Sequence, residues 1–357
     1  FRQQINTVRG IQKTEYLKIS DYIFYFKKGN DYFCTLINKS SYKVVNRRHI
    51  RVKVMQSIYA MHQSGSDNLE KEEKFLFYSI DNIQDLYLIM LSSLIEICKT
   101  ETIFLHKSSL KHLATPEERK QNEKFIKNRI FQILSENNSL SIALENRKIN
   151  NWTLNDDYIL LLLNDIKAST LYAQYMSNAV NTFEEDRQFI VDLFMEVIVP
   201  NEKLYDYLED DKLTWVDDIP LVNTHIIKQL KAIKNGEDDN FRVPKLYKDN
   251  EDKDFVKDLF RKTVLNESEL AKEYVDKTPN WDSERIAEID TIILKMAICE
   301  FLKFPSIPVK VTLNEYLEVA KEYTTPKSSI FINGILDNLV KELQTSKRII
   351  KAGRGLM

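Results

Sequence analysis

Between Arg47 and Lys53 the chain reads Arg-Arg-His-Ile-Arg-Val-Lys, which sets four cations, Arg47, Arg48, Arg51 and Lys53, at the predicted start of a helix. The positive end of the helix dipole lies there, so such a cluster works against helix stability. Grouped guanidinium and ammonium groups suit phosphate oxygens. A single RNA strand asks, in addition, for flat side chains on which bases stack. Tyr59 and Phe331 are candidates for that part, although Phe331 sits in an apolar stripe, where a Phe is more often core. Other chemistries lack their residues. No phosphate-cradling Gly-rich loop, nucleophile elbow or His-Glu-x-x-His run is present. His49, His62, His106, His112 and His225 are scattered, and Cys34, Cys98 and Cys299 are far apart without a Cys-x-x-Cys. Neither set has metal-ligand spacing, so no catalytic residue, cofactor or metal is expected.

The stretch that must position these groups runs from Arg285 to Val340. Ile286, Ile289, Ile293 and Met296 recur every three or four residues and predict one apolar helical stripe. Pro305 and Pro308 stop that helix. Thr312-Leu313-Asn314-Glu315 reads as a capping box opening a second helix, with Leu313, Leu317 and Ala320 facing inward. Thr324, Thr325 and Pro326 break again, and Phe331, Ile332, Ile335, Leu336 and Leu339 form a last apolar face. At the other end Ile50, Val54, Ile58 and Met61 form the buried stripe of the basic helix, which Gly65, Ser66 and Asp67 end.

Asp290, Leu294, Ala297, Glu300, then Ile307, Pro308, Lys310, Val311, Asn314, Glu315, Glu318, Ala320, Lys321, then Phe331, Asn333, Gly334 and Leu336 stand in an order that closely resembles the C-terminal half of the NusB family of bacterial transcription antitermination factors. Arg47, Arg48, Arg51, Gln56 and Tyr59 resemble that family's arginine-rich first helix. The resemblance implies an all-α, NusB-like helical bundle, non-enzymatic and cytoplasmic. It further implies binding of boxA RNA from ribosomal RNA leader transcripts, pairing with NusE (a small-subunit ribosomal protein), and assembly on RNA polymerase. On this reading Arg47, Arg48, Arg51, Lys53, Gln56, Tyr59, Lys310, Phe331, Asn333 and Gly334 make the RNA site. Lys310 contacts phosphate or a partner, Asn333 holds backbone or a base, and Gly334 lets helices approach closely. Glu300, a carboxylate on an otherwise apolar helix, meets NusE.

Seven glycines and eight prolines are few for 357 residues and favour helices throughout. The net charge of −2 does not by itself announce a nucleic-acid binder. No apolar run approaches the roughly 20 residues of a membrane span, and Tyr22–Phe26 is too short for a signal-peptide core. The expected organisation has four parts. Residues 1–45 are an extension outside the family domain, either translated sequence upstream of the true start or a genuine addition. Residues 46–64 and 251–345 form the NusB-like domain. Residues 65–250 are a helical insertion, with helices predicted at 75–99, 117–136, 156–178, 184–199 and 221–234 and an acidic turn at 236–240. Residues 346–357 are a basic tail (Lys347, Arg348, Lys351, Arg354) that either attracts phosphate or frays.

The insertion also echoes the later chain at a constant offset. Asp186, Phe189, Asp192-Leu193-Phe194, Leu204, Trp215 and Ile226-Ile227 match Asp252, Phe255, Asp258-Leu259-Phe260, Leu270, Trp281 and Ile292-Ile293. The insertion thus reads as at least partly a degenerate repeat, without its own RNA residues. Two other functions fit an all-helical chain. One is a protein-interaction scaffold without RNA binding. The other is an RNA methyltransferase carrying such a domain, which the lack of a cofactor-type Gly-rich turn disfavours.

Overall fold

The computed structural model describes residues 43–111, 121–236, 241–275 and 287–352. The expectations for 1–42, Cys34, His112, 237–240, Trp281, Arg285, Ile286 and Arg354 fall outside them. Among the described residues the chain is all α, with only an isolated bridge pairing Lys43 and Lys245. The helices are α1 (Arg47–Ser64), α2 (Leu69–Ser109), α3 (Arg129–Ser135), α4 (Asn138–Asn146), α5 (Asn151–Leu154), α6 (Asp156–Ala168), α7 (Thr170–Ser177), α8 (Phe183–Leu193), α9 (Glu202–Asp211), α10 (Ile219–Ala232), α11 (Asn250–Leu265), α12 (Glu267–Val275), α13 (Glu288–Lys303), α14 (Val309–Tyr323) and α15 (Pro326–Thr345). They fall into two compact units. One comprises 45–80 with 247–352, the other 43–44 with 81–246.

In the first unit α13 is the central rod. It is buried almost continuously from Ile292 to Phe301 and packs against α11, α12, α14, α15 and α1. A helix apolar on all sides must be wrapped by others. Ile50, Val54, Ile58 and Met61 of α1 are buried as their spacing predicts, and Gly65 ends that helix at φ +62°, a left-handed cap open to glycine at little cost. The opening of α14 differs from the capping-box expectation. The helix starts at Val309, where the Pro308 carbonyl accepts the Thr312 amide. Thr312 is then inside the helix, and the buried stripe is Thr312, Tyr316, Val319 and Ala320, with Leu313 and Leu317 only half-buried.

The second unit has more helices than periodicity alone suggested. Asn137 and Asn201 make two extra starts, each accepting a first-turn amide with its side chain. Asn128 does the same for α3, so residues 121–128 of the helix predicted at 117–136 are not helical. Ser169 does the same for α7 and so splits the helix predicted at 156–178. The repeated positions occupy matching places inside their own units. Asp186 and Asp252 are both buried in the first turn of their helices, and Phe189, Phe194, Leu204 and Ile226 are buried as are Phe255, Phe260, Leu270 and Ile292. Each aspartate also reaches the first residue of an Asn-capped helix. Asp186 accepts the Arg129 backbone amide of α3, and Asp252 accepts Nε of Arg47 of α1.

Candidate nucleic-acid interface

Asn46 caps α1 by accepting the His49 amide at 2.8 Å, so the arginines that follow leave the helix from a fixed first turn. Arg47 donates from Nε to Oδ1 of Asp252 at 3.2 Å, and its guanidinium lies 5.2 Å from the centre of the Phe255 ring. Arg48 forks onto Glu315 of α14 at 3.0 and 3.1 Å. Both arginine side chains are exposed by about two-fifths, 40% and 45%. Glu315 is itself 22% exposed, and an ion pair at such exposure is worth about 0–1 kcal/mol, so an arriving anion can exchange for it on Arg48 cheaply. Arg47 is tied more firmly, because Asp252 is only 4% exposed and would be left as an unpaired buried charge.

Beside them opens a cleft of about 430 Å³, lined by Asn46, Arg47, Arg48, Arg51, Ser306, Ile307, Pro308, Val311 and Glu315. Two helices, α1 and α14, begin at this cleft, and α14 has no side-chain cap. The positive ends of both dipoles therefore add to the arginine charge. Lys310, exposed, stands in the same first turn of α14 as Val311.

Arg51 and Lys53 require correction as phosphate ligands, since each is only 2% exposed. Arg51 forks onto Glu300 at 2.9 and 2.7 Å, and Glu300 also accepts the hydroxyls of Thr312 (2.7 Å) and Tyr316 (3.3 Å). Glu300 is itself fully buried, so the expected contact with a partner protein is corrected too: its carboxylate ties α1, α13 and α14 together. The close helix approach expected at Gly334 is absent. The residue is exposed, and a Cβ built on it meets nothing within 4 Å.

Gln56 and Tyr59 are half-buried further along α1, as are Phe331 and Asn333 on α15. This second group gathers at the other end of α13. His62, near the end of α1, bonds through Nδ1 to Glu288 (2.9 Å) at the start of α13. The candidate residues thus belong to one unit but not to one spot: cations at one end of α13, aromatic and Asn-Gly residues toward the other. Arg48 and Tyr59 are eleven residues apart on α1, about three turns and 16 Å along one face.

Sequence reading missed the loop 306–308, and it took Glu315 for a cap when it is the carboxylate that holds Arg48. The two helix-breaking prolines were the available signal for that loop. Among the described residues no group of side chains could hold a metal ion, and no helix is long and apolar enough to cross a membrane.

The family model described as NusB family matches residues 222–341. Curated relatives named transcription antitermination protein NusB include those of Salinibacter ruber, Chloroherpeton thalassium and Clostridium kluyveri. The first is 44% identical over 117 residues, 32% of this chain and 72% of the relative. The second is 37% identical over 105 residues, 29% of this chain and 50% of the relative. The third is 40% identical over 98 residues, 28% of this chain and 63% of the relative. No solved structure matches the chain significantly.

Proposed function

From the premise that this chain belongs to the NusB family, which is non-enzymatic, we propose that it is a cytoplasmic transcription antitermination factor. It holds boxA-type single-stranded RNA together with NusE and delivers the pair to RNA polymerase during ribosomal RNA synthesis. The observation that carries the reading is the cleft at the paired starts of α1 and α14, where Arg48 is held by the exchangeable Glu315 and Arg47, anchored through Nε to buried Asp252, keeps 40% of its side chain exposed. Phosphates enter there and meet Arg47, Arg48 and Lys310. The strand then follows the face of α1 toward Tyr59, with Phe331 and Asn333 beyond it, where bases stack at about 1–3 kcal/mol each. Exposed Gly334 has no packing reason to be glycine, and its bare backbone suits close approach by the RNA. NusE meets exposed surface, since Glu300 is unavailable to it.

The test is a titration of fluorescent boxA-type RNA at several salt concentrations, with and without NusE, using the wild type and Arg47→Gln/Arg48→Ala. Glutamine keeps a donor for the buried Asp252. The expected variant binds weakly, and its log–log salt slope is smaller by roughly 1.4, about 0.7 for each lost phosphate contact. Equal binding by both proteins removes the arginines from the site. Absence of binding even with NusE leaves the alternative, a helical interaction scaffold.

A further inference from the structure

The segment that follows α15 has a use beyond supplying charge. Arg348 forks onto Glu273 of α12 at 2.9 and 2.7 Å. Lys351 turns back over the end of α13 and donates from Nζ to the carbonyls of Glu300 (3.0 Å) and Phe304 (2.9 Å). The next amide, Ala352, donates to the Pro305 carbonyl at 3.0 Å. The last carbonyls of a helix have no partner within it, and an ammonium placed there satisfies them and opposes the dipole. For residues 348–352 the fraying reading therefore fails. Direct phosphate binding also fits poorly, because both cations are already engaged.

Two of the carbonyls held in this way, those of Phe304 and Pro305, adjoin the wall of the cleft in the chain. Phe304 and Pro305 immediately precede Ser306, Ile307 and Pro308, which line it. From Phe304 a line of contacts leads to the arginines. Its ring meets Phe255 edge-on at 5.6 Å, and the guanidiniums of Arg47 and Arg51 each lie 5.2 Å from the Phe255 centroid. We infer that residues 348–352 are a strap, with Lys351 a positioning residue that holds the 304–308 wall and, through Phe304 and Phe255, the direction of Arg47. The strap itself follows from the contacts, whereas its effect on RNA rests on the function proposed above.

Two measurements on Lys351→Met and Lys351→Arg in the full chain test it. Hydrogen exchange of residues 304–309 should quicken in Lys351→Met, remain slow in Lys351→Arg, and leave the middle of α1 unchanged. Unchanged exchange in Lys351→Met overturns the strap whatever happens to RNA. Affinity for boxA-type RNA should fall about threefold to tenfold in Lys351→Met, the size of a helix-end charge effect, with the salt slope unaltered and Lys351→Arg restoring it. A slope smaller by about 0.7 would mean that Lys351 itself touches phosphate, which overturns positioning. If the wild type binds no RNA, the functional proposal falls, while faster exchange in Lys351→Met still upholds the strap.

Discussion

Four donors converge on the Glu300 carboxylate: two from Arg51 and the hydroxyls of Thr312 and Tyr316. In a dry interior such a network is favourable only while complete, because an abandoned charge cannot recover its water. Arg51→Met should therefore cost about 3–5 kcal/mol in urea unfolding. Glu300→Gln should cost less than that, since the amide keeps one acceptor oxygen. The double variant should lose clearly less than the two singles together, as expected for residues in contact; strict additivity would show that the two do not act as a unit. The sequence displayed this pair but disguised it. Arg51 looked like a member of a surface cluster because its neighbours Arg47 and Arg48 are on the surface, and one turn of helix separates them. Nothing in the residue types distinguishes the guanidinium that turns inward. The opposite holds for Gly334, whose position in Phe-Ile-Asn-Gly was plain while its open surroundings were not.

At the scale of elements, three helix ends meet at His62. The ring bonds to Glu288, first residue of α13, through Nδ1 and to Glu267, first residue of α12, through Nε2. Gln63 also bonds to Glu288, and Lys295 pairs with Glu267. The bond to Glu267, joined by that to Glu288, outweighs partial burial and raises the imidazole above its ordinary 6.5. The bond from His62, together with Lys295, holds Glu267 down at about 2. The signs follow from linkage. The histidine contribution is fully present below pH 6.5 and is lost as pH rises through the higher folded value. The glutamate contribution is present above its usual 4.5 and is lost as pH falls toward 2. Thermal midpoints should therefore decline between pH 6 and 8.5 in the wild type and decline less in His62→Gln. Equal slopes would show that the junction carries no charge in this range. Helix existence was legible here from 3.6-residue periodicity and from Gly65. The polar stripe of α14 was not, because Thr312 and Tyr316 are buried for the sake of Glu300 rather than for their hydrophobicity.

For the molecule as a whole, residues 45–80 and 247–352 form one unit although the chain leaves it for a long stretch between them. The matching buried aspartates and the paired Asn-capped helix starts support our proposal that the insertion is in part a degenerate copy of the same helices. In that copy Ile130, fully buried, follows Arg129 where Arg48 follows Arg47. A chain with residues 81–246 replaced by a short Gly-Ser linker should fold, show the helical content of the first unit by circular dichroism, and keep RNA affinity within a few-fold. Loss of folding would make the second unit an obligatory part of the first. The resemblance set the expected insertion at 65–250, whereas the second unit spans 81–246 because α2 runs unbroken across its start. The inner architecture of the copy was not legible, since asparagine caps mark helix starts too short to show a period.

The gathering of strands at one place has a kinetic corollary. Gln84 donates to the Pro244 carbonyl at 3.2 Å, and the Val44 amide donates to the Lys245 carbonyl at 3.0 Å, so the stretch just before α1 and the first half of α2 both meet the segment 244–245 just ahead of α11. An unfolded detour of that length, compared with a short turn, would burden assembly of α1 on α11 by about 3 kcal/mol of closure entropy. Once the detour has folded, that entropy is already spent, and its two ends behave as neighbours along the chain. The topology therefore favours one order of assembly, in which the guest compacts first and the host then closes at the cost of a short turn.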